Sequence, residues 1–451
     1  MTETVGATKP PGLVDSYRGM GRFLVLWAGQ MFSLVGNSMT RFAFIFYVFH
    51  TTGSAANVTL VALFSFLPKM LASPTAGYLV DRLNDKVALL ITDLGTGLVI
   101  LVPGFLYFSG GLQLWQLYIA SAVAGAIEAF QYPAFSAALT TLVSKPQLAK
   151  ANSLLSAARS GADLAGPVCA GMLLSLGSLG LVFVVDAITS FIAVITVVLI
   201  PIATRASVGE PRIRFWEKQL TGLRWIWAHP PLRFLALMFF VVNLAGAFGQ
   251  VIMQPMVLAR SGGSSATLSV VLACVGAGGI IGGFAVSAWG GPTHKVRGLL
   301  LGLLAVSVLG QIGLGLSGNI VGWCITGFLN SACVIVINTC NQVVWQVNVP
   351  TELLGKVFGG FVFLAQLSVP IAIALAGPLA DHIFEPWARS ASADRLGWSA
   401  LVGSGPGAGM ATMLVIAGTL GTLCGVLGLM SRSLRQLGVS TQAALAESDK
   451  Q

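Results

Sequence analysis

Apolar residues along this chain gather into twelve long runs, near 23–49, 56–80, 87–108, 113–140, 149–177, 180–202, 233–258, 266–289, 298–316, 319–346, 357–381 and 408–430. Polar and charged residues crowd the short gaps between them. A helix crosses the hydrocarbon layer with about 20 apolar residues, so each run is long enough to span a bilayer. The pattern predicts an all-α membrane protein of twelve transmembrane helices. Composition supports this, because 55% hydrophobic and 9% charged residues in a chain of 451 leave too little charge to cover a soluble domain. Fifty-four glycines suit close approach of helices in lipid.

The net charge of +9 suggests a nucleic-acid partner until the cations are placed. Arg82, Lys86, Lys145, Arg212, Arg214, Lys218, Lys295, Arg297, Arg432 and Arg435 fall in gaps and tails on one side of the predicted bundle, whereas the opposite loops hold only Arg260, Arg389 and Arg395. That bias is the positive-inside rule; it predicts a multi-pass protein of the cell membrane with both termini cytoplasmic, and no nucleic acid. Residues 1–22 lack the apolar stretch of a cleavable signal. The six cysteines lie within apolar runs without a CxxC pair, and the four histidines have no ligand spacing, so no metal site is expected. Nucleotide-binding loops, HExxH and GxSxG are absent, which leaves an enzyme reading without support.

The polar residues inside the runs repeat. Gln30, Asn37 and Arg41 share one face of the first run, and Asn243, Gln250 and Gln254 follow at the same spacing in the seventh, displaced by 213 residues (243 − 30). Glu128, Gln131, Tyr132 and Ser136 of the fourth run correspond to Asn338, Asn341, Gln342 and Gln346 of the tenth, displaced by 210 (338 − 128). Ala165-Gly166-Pro167 recurs as Ala376-Gly377-Pro378. A six-helix unit is therefore duplicated. The divisions expected are a tail at 1–22, a first bundle at 23–202, a linker at 203–232, a second bundle at 233–430 and a tail at 431–451. In the linker, Trp216, Leu220, Leu223 and Trp227 share a face beside Arg214, Lys218 and Arg224, as in a helix lying on the membrane surface. Polar stripes in lipid need partners or water, so four of them imply one wet cavity, although amides also join helices directly.

Ionisable residues at a helix centre cost roughly 2.5–3.5 kcal/mol on insertion scales, and each needs a reason. Arg41, Lys69, Asp93, Glu128, Arg159, Asp163 and Asp186 all belong to the first half, and the second half carries amides instead. The first half is thus expected to handle charge and protons, the second to contact substrate. Glu128 is the first candidate for proton coupling, with Arg41 as its neutralising partner; a static pair joining two helices is the competing reading. Arg159 and Asp163, four residues apart, are placed to pair on one helix face and join Glu128 and Arg41 as candidate proton-coupling residues; a structural pair is the competing reading. Lys69 is a second cavity cation, a binder of acidic groups or a snorkelling side chain. Asp186 reads as a helix-packing acid.

One short hinge narrows the reading further. Gly77, Asp81, Arg82 and Lys86 match the pattern G-x-x-x-D-R-x-G-R-[KR], with Asn84 and Asp85 departing from it. This resembles the loop 2–3 signature of the major facilitator superfamily. Ala162-x-x-x-Gly166-Pro167-x-x-Ala170-Gly171 resembles the helix-5 motif of drug:proton antiporters, and Phe130–Ala134, Trp289–Pro292, Val349–Val357 and Ala376–Pro386 resemble the branch of macrolide and enterobactin exporters. The resemblance implies that helices 1, 4, 7 and 10 line a central cavity, with Gln30, Asn37, Arg41, Lys69, Gln131, Tyr132, Asn243, Gln250, Gln254, Asn338, Asn341 and Gln342 as substrate contacts. It implies a gating loop of Gly77, Asp81, Arg82 and Lys86, to which Asp93 is expected to add its charge. The function it implies is proton-driven export of an amphipathic small molecule by a monomer in the bilayer, without a cofactor. A nutrient importer of the same fold and a lipid-handling or non-transporting membrane protein remain as alternatives.

Overall fold

Each apolar run becomes a helix in the computed structural model, which describes residues 20–80, 83–143, 147–176, 179–202, 215–390, 395 and 397–448. The first half holds α1 (Gly21–Thr52), α2 (Ala55–Val80), α3 (Asp85–Phe108), α4 (Leu114–Leu142), α5 (Leu148–Ser175) and α6 (Leu179–Leu199). A short α7 (Phe215–Ala228) leads into the second half, made of α8 (Pro230–Arg260), α9 (Ser265–Trp289), α10 (Lys295–Leu316), α11 (Ile320–Asn348), α12 (Thr351–Leu379, continued to Ala388), a short α13 (Trp398–Val402) and α14 (Ala408–Met430). Ten helices among the described residues are long and apolar enough to cross a membrane. The two that carry Glu128, Arg159 and Asp163, α4 and α5, fall outside those ten.

Local chemistry sets the helix ends. Asn84 takes an extended conformation and its side chain accepts the Lys86 N–H at 2.9 Å, so the Asn that departs from the loop pattern caps α3. Ser264 and Asn319 cap α9 and α11 in the same way. Gly53 closes α1 in the left-handed region with φ 62°.

The duplication seen in the sequence is repeated in the packing. In the first half α1 packs on α5 and α6, α2 on α4, and α3 on α4 and α6; in the second, α8 packs on α12 and α14, α9 on α11, and α10 on α11 and α14. The halves meet where α5 packs on α9 and α12 on α2. Small residues permit this: a methyl on Gly171 would collide with Ser269, and one on Gly377 with Thr59 and Ala56. Buried apolar side chains form one cluster that crosses the seam, joining Val58 and Ala170 to Leu268 and Ala376. Two further clusters, around Phe23 and Leu139 and around Trp345 and Leu235, belong to one half each. The halves are thus fused at the end carrying the α1–α2 turn and have separate cores toward the end carrying α7.

The expected linker and the expected C-terminal tail each contain a helix. Among the described side chains of α7, Ile226 is fully buried and Trp227 is exposed. The helix packs on α12, and the side chains of Trp216 and Leu220 lie outside the described set. The segment expected to be a tail forms α15 (Arg432–Ser448), where Leu434 and Leu437 are buried and Asn348 donates to Thr441 Oγ1 at 2.8 Å.

Candidate functional site: a charged cavity between the halves

Helices α1, α2 and α4 bring three charged side chains to one point. Glu128 Oε1 lies 3.1 Å from Arg41 Nη1, and Glu128 Oε2 lies 3.2 Å from Lys69 Nζ. Arg41 Nη2 continues the chain to Asp163 Oδ1 of α5 at 3.5 Å. Cation and anion therefore alternate from Lys69 through Glu128 and Arg41 to Asp163. The Glu128 side chain keeps 33% of its exposure and Asp163 keeps 72%. Ion pairs so open to solvent contribute roughly 0–1 kcal/mol each, so they exchange partners at small cost.

The cluster opens into a cavity of about 360 Å³. Asn37, Arg41, Lys69 and Glu128 line it from the first half, and Gln250 and Gln254 face them from α8. Phe44, Phe66, Ile100, Val251 and Ile373 supply apolar walls. Such a lining, mostly apolar with a few convergent polar groups, is that of a small-molecule site. A second cavity of about 410 Å³ adjoins it inside the second half, with Asn243, Gln250, Gln254 and Asn338 on its walls.

Four of the expected substrate contacts lie elsewhere, and one is not described. Gln30 is buried and donates to Asp93 Oδ2 at 2.5 Å, and Gln131 is buried on the same side of the bundle. Seven residues of helix rise about 10 Å, so a shared face did not guarantee a shared depth, and Gln30 meets α3 rather than the cavity. Asn341 is buried and accepts from Trp345 Nε1 at 3.1 Å, and Trp345 itself packs on Phe361. Gln342 is exposed and lines neither cavity. The Tyr132 side chain lies outside the described residues.

The gating assignment needs a similar correction. Asp93 does not join Lys86: it is fully buried against Gln30, while Lys86 Nζ donates to the Val198 and Ile200 carbonyls at 2.7 and 3.1 Å. Lysine at a helix C-terminus satisfies carbonyls that have no partner along the helix, which explains that choice. Asp81 and Arg82 lie outside the described residues, as do the surroundings of positions 77 and 78. In the helix-5 motif, Gly166 abuts Ser38 of α1 and Gly171 abuts Ser269 across the seam, with Pro167 between them. Asp163 is bound to Arg41, a partner its spacing from Arg159 did not indicate. Asp186 is buried and accepts from Thr40 Oγ1 at 2.5 Å, joining α6 to α1.

Sequence reading overlooked the bond between Lys69 and Glu128, and it overlooked Asp381, Gln311, Asn330 and Gln366. Lone amides in otherwise apolar runs were the available signal for the last three.

Two repeated helical bundles closed around a mostly apolar cavity that carries a few charged and amide groups have the architecture of a membrane transporter. The sequence profile of the Major Facilitator Superfamily matches residues 26–373, and the chain belongs to that family. It is similar to macrolide efflux protein A of Streptococcus pyogenes, with 25% identity over 387 residues that cover 80% of this chain and 90% of that protein. It is also similar to the multidrug efflux pump Tap of Mycolicibacterium fortuitum, with 26% identity over 385 residues, again 80% of this chain and 90% of the relative. These likenesses are to the drug-efflux branch. Among solved structures, a bacterial homologue of the human lysosomal transporter Spinster, inward-facing and unoccupied, shares the fold with a TM-score of 0.61 and 16% identity, covering 94% of this chain and 98% of that one.

Proposed function

We propose that this protein exports an amphipathic small molecule, such as a drug, natural product or siderophore-like compound, across the cell membrane in exchange for protons. It does so by alternating access, as a monomer with twelve spans and cytoplasmic termini, and the proton gradient is its only energy source. The observation that carries the reading is Glu128 held between Arg41 and Lys69 on the wall of the central cavity. With the termini in the cytoplasm, the fused end faces outward, so this arrangement faces inward.

The cluster supports a simple cycle. A proton taken from outside neutralises Glu128 and releases both cations, and the carrier returns inward in that state. When Arg41 and Lys69 close on Glu128 again, the proton leaves to the cytoplasm. Cargo then binds, and the loaded carrier turns outward with Glu128 charged. Asp163 gives Arg41 a partner while Glu128 is neutral.

Inside-out vesicles with an acidic lumen test this with a macrolide as probe. Wild-type protein accumulates the macrolide as the gradient collapses, and Glu128→Gln does not. Unchanged accumulation by that variant removes Glu128 from coupling, and gradient-driven uptake by whole cells instead makes the protein an importer.

A further inference from the structure

The second cavity differs in kind from the first. No Asp, Glu, Lys or Arg is among the described residues on its wall; the amides Asn243, Gln250, Gln254, Asn338, Gln311, Asn330 and Gln366 supply most of its polarity. Three of these, Gln311, Asn330 and Gln366, belong to none of the repeated stripes. Gln311 stands in a π-helical turn, Val306–Ile312, within α10. Such turns add one residue to the helix and redirect side chains, frequently at functional sites. This one aims both Ser307 and Gln311 into the bundle, where both are buried.

Gln311 is 8% exposed, yet its Oε1 has no hydrogen-bond partner, and the buried Asn330 Oδ1 has none either. A buried acceptor without a donor is unfavourable, and proteins keep such groups where something else supplies the donor. The cavity of about 410 Å³ is far larger than a single water needs and lies within the ordinary range for ligand pockets, roughly 300–1,000 Å³. An ammonium group would enter without a carboxylate to meet it, and an anion without a cation. Hydroxyl groups donate to amide oxygens and accept from amide N–H groups, so they match a wall of amides.

We infer that this chamber binds a neutral, hydroxyl-rich part of the cargo of about the size of a sugar ring. The inference rests on the transport reading above and adds the chemistry of the cargo to it. Ala247, Gln250, Gln254 and Val369 line both cavities, so the two lie side by side, and one cargo molecule occupies both when the Gln250 and Gln254 side chains turn aside. Its apolar body lies in the central cavity and its hydroxylated group lies against Gln311 and Asn330.

The test is equilibrium dialysis of the full-length protein in lipid nanodiscs, without a gradient, against radiolabelled n-octyl β-D-glucoside below its micellar concentration and against n-octanol. Protein-free nanodiscs correct for partition into lipid. The expected result is a preference for the glucoside of about tenfold, the worth of one or two hydrogen bonds. Gln311→Met and Asn330→Leu each remove most of that preference and leave octanol binding as it was; Gln366→Met serves if either variant does not fold. Equal affinity for the two compounds, no binding of the glucoside, or a preference that survives these variants overturns the inference and leaves the chamber to water. A wild-type protein that shows the preference but moves no compound under a gradient sinks the export reading and supports this one.

Discussion

Asp381, where α12 passes into its last turns, holds the first turn of α2 across the seam. Its Oδ2 accepts from Ser54 Oγ at 2.5 Å and from the Ala56 N–H at 2.9 Å, and its Oδ1 accepts from the Ala55 N–H at 3.1 Å. A carboxylate at a helix N-terminus satisfies N–H groups that lack partners and meets the positive end of the helix dipole. These bonds must break before the fused end opens. Hydrogen bonds to a charged group are worth about 1.5–3 kcal/mol when buried, and less at this half-exposed site. Asp381→Ala is therefore expected to shift the population toward the opposite-facing state by about tenfold. Spin labels at Thr52 and Gly262 report it as a longer distance component; an unchanged distribution rules out the latch.

Removing one member of the charged cluster has unequal effects. Lys69→Ala leaves the Glu128–Arg41 pair in place and is expected to cost under about 1 kcal/mol of stability, as for exposed ion pairs. Glu128→Ala leaves Arg41 and Lys69 facing each other and costs more. The double variant recovers part of the loss, because one repelling cation is gone. Thermal unfolding of the four proteins forms a cycle, and additive losses contradict the coupling.

Gln30 and Asp93 make a separate prediction, since they sit away from the cavity. Gln30→Leu removes the amide that donates to a fully buried acid, and the expected cost is about 1–3 kcal/mol. Transport by the protein that remains folded keeps its KM. A raised KM with unchanged melting restores Gln30 to the substrate site.

Gly125 links packing to the site. A methyl there would run into the Ser65 carbonyl of α2. Ser65 and Gly125 lie one turn from Lys69 and Glu128, so Gly125→Ala is expected to part α2 from α4 and stretch that ion pair. Overpacking costs typically about 1–3 kcal/mol. Proton-driven accumulation falls although every charged residue is intact; full activity together with wild-type melting shows that the crossing has slack.

Hydropathy locates most helix ends to within a few residues because the bilayer sets a minimum length for every run. The repeat was legible since duplicated helices keep their polar positions at fixed spacing, and Arg41, Lys69 and Glu128 stood out by their cost in lipid. Depth and neighbour were not legible. The face that carries Asn37 to the cavity carries Gln30 to α3, two turns away, and spacing does not distinguish them. Asp163 meets Arg41 on α1, which spacing does not indicate because a helix periodicity describes only one helix. The π turn that aims Gln311 inward breaks the 3.6-residue period on which the reading rests. Asp381 was not legible because its role depends on a helix more than 300 positions away.

Helix α8 stands between the two cavities, with Gln250 and Gln254 on both walls. A partition shared by two chambers moves volume from one to the other without creating any. A tilt that makes room beside Glu128 takes it from beside Gln311, and the reverse tilt returns it. A molecule lodged in either chamber thus acts as a wedge on the other, and its bulk on one side of α8 sets how tightly the far side can close.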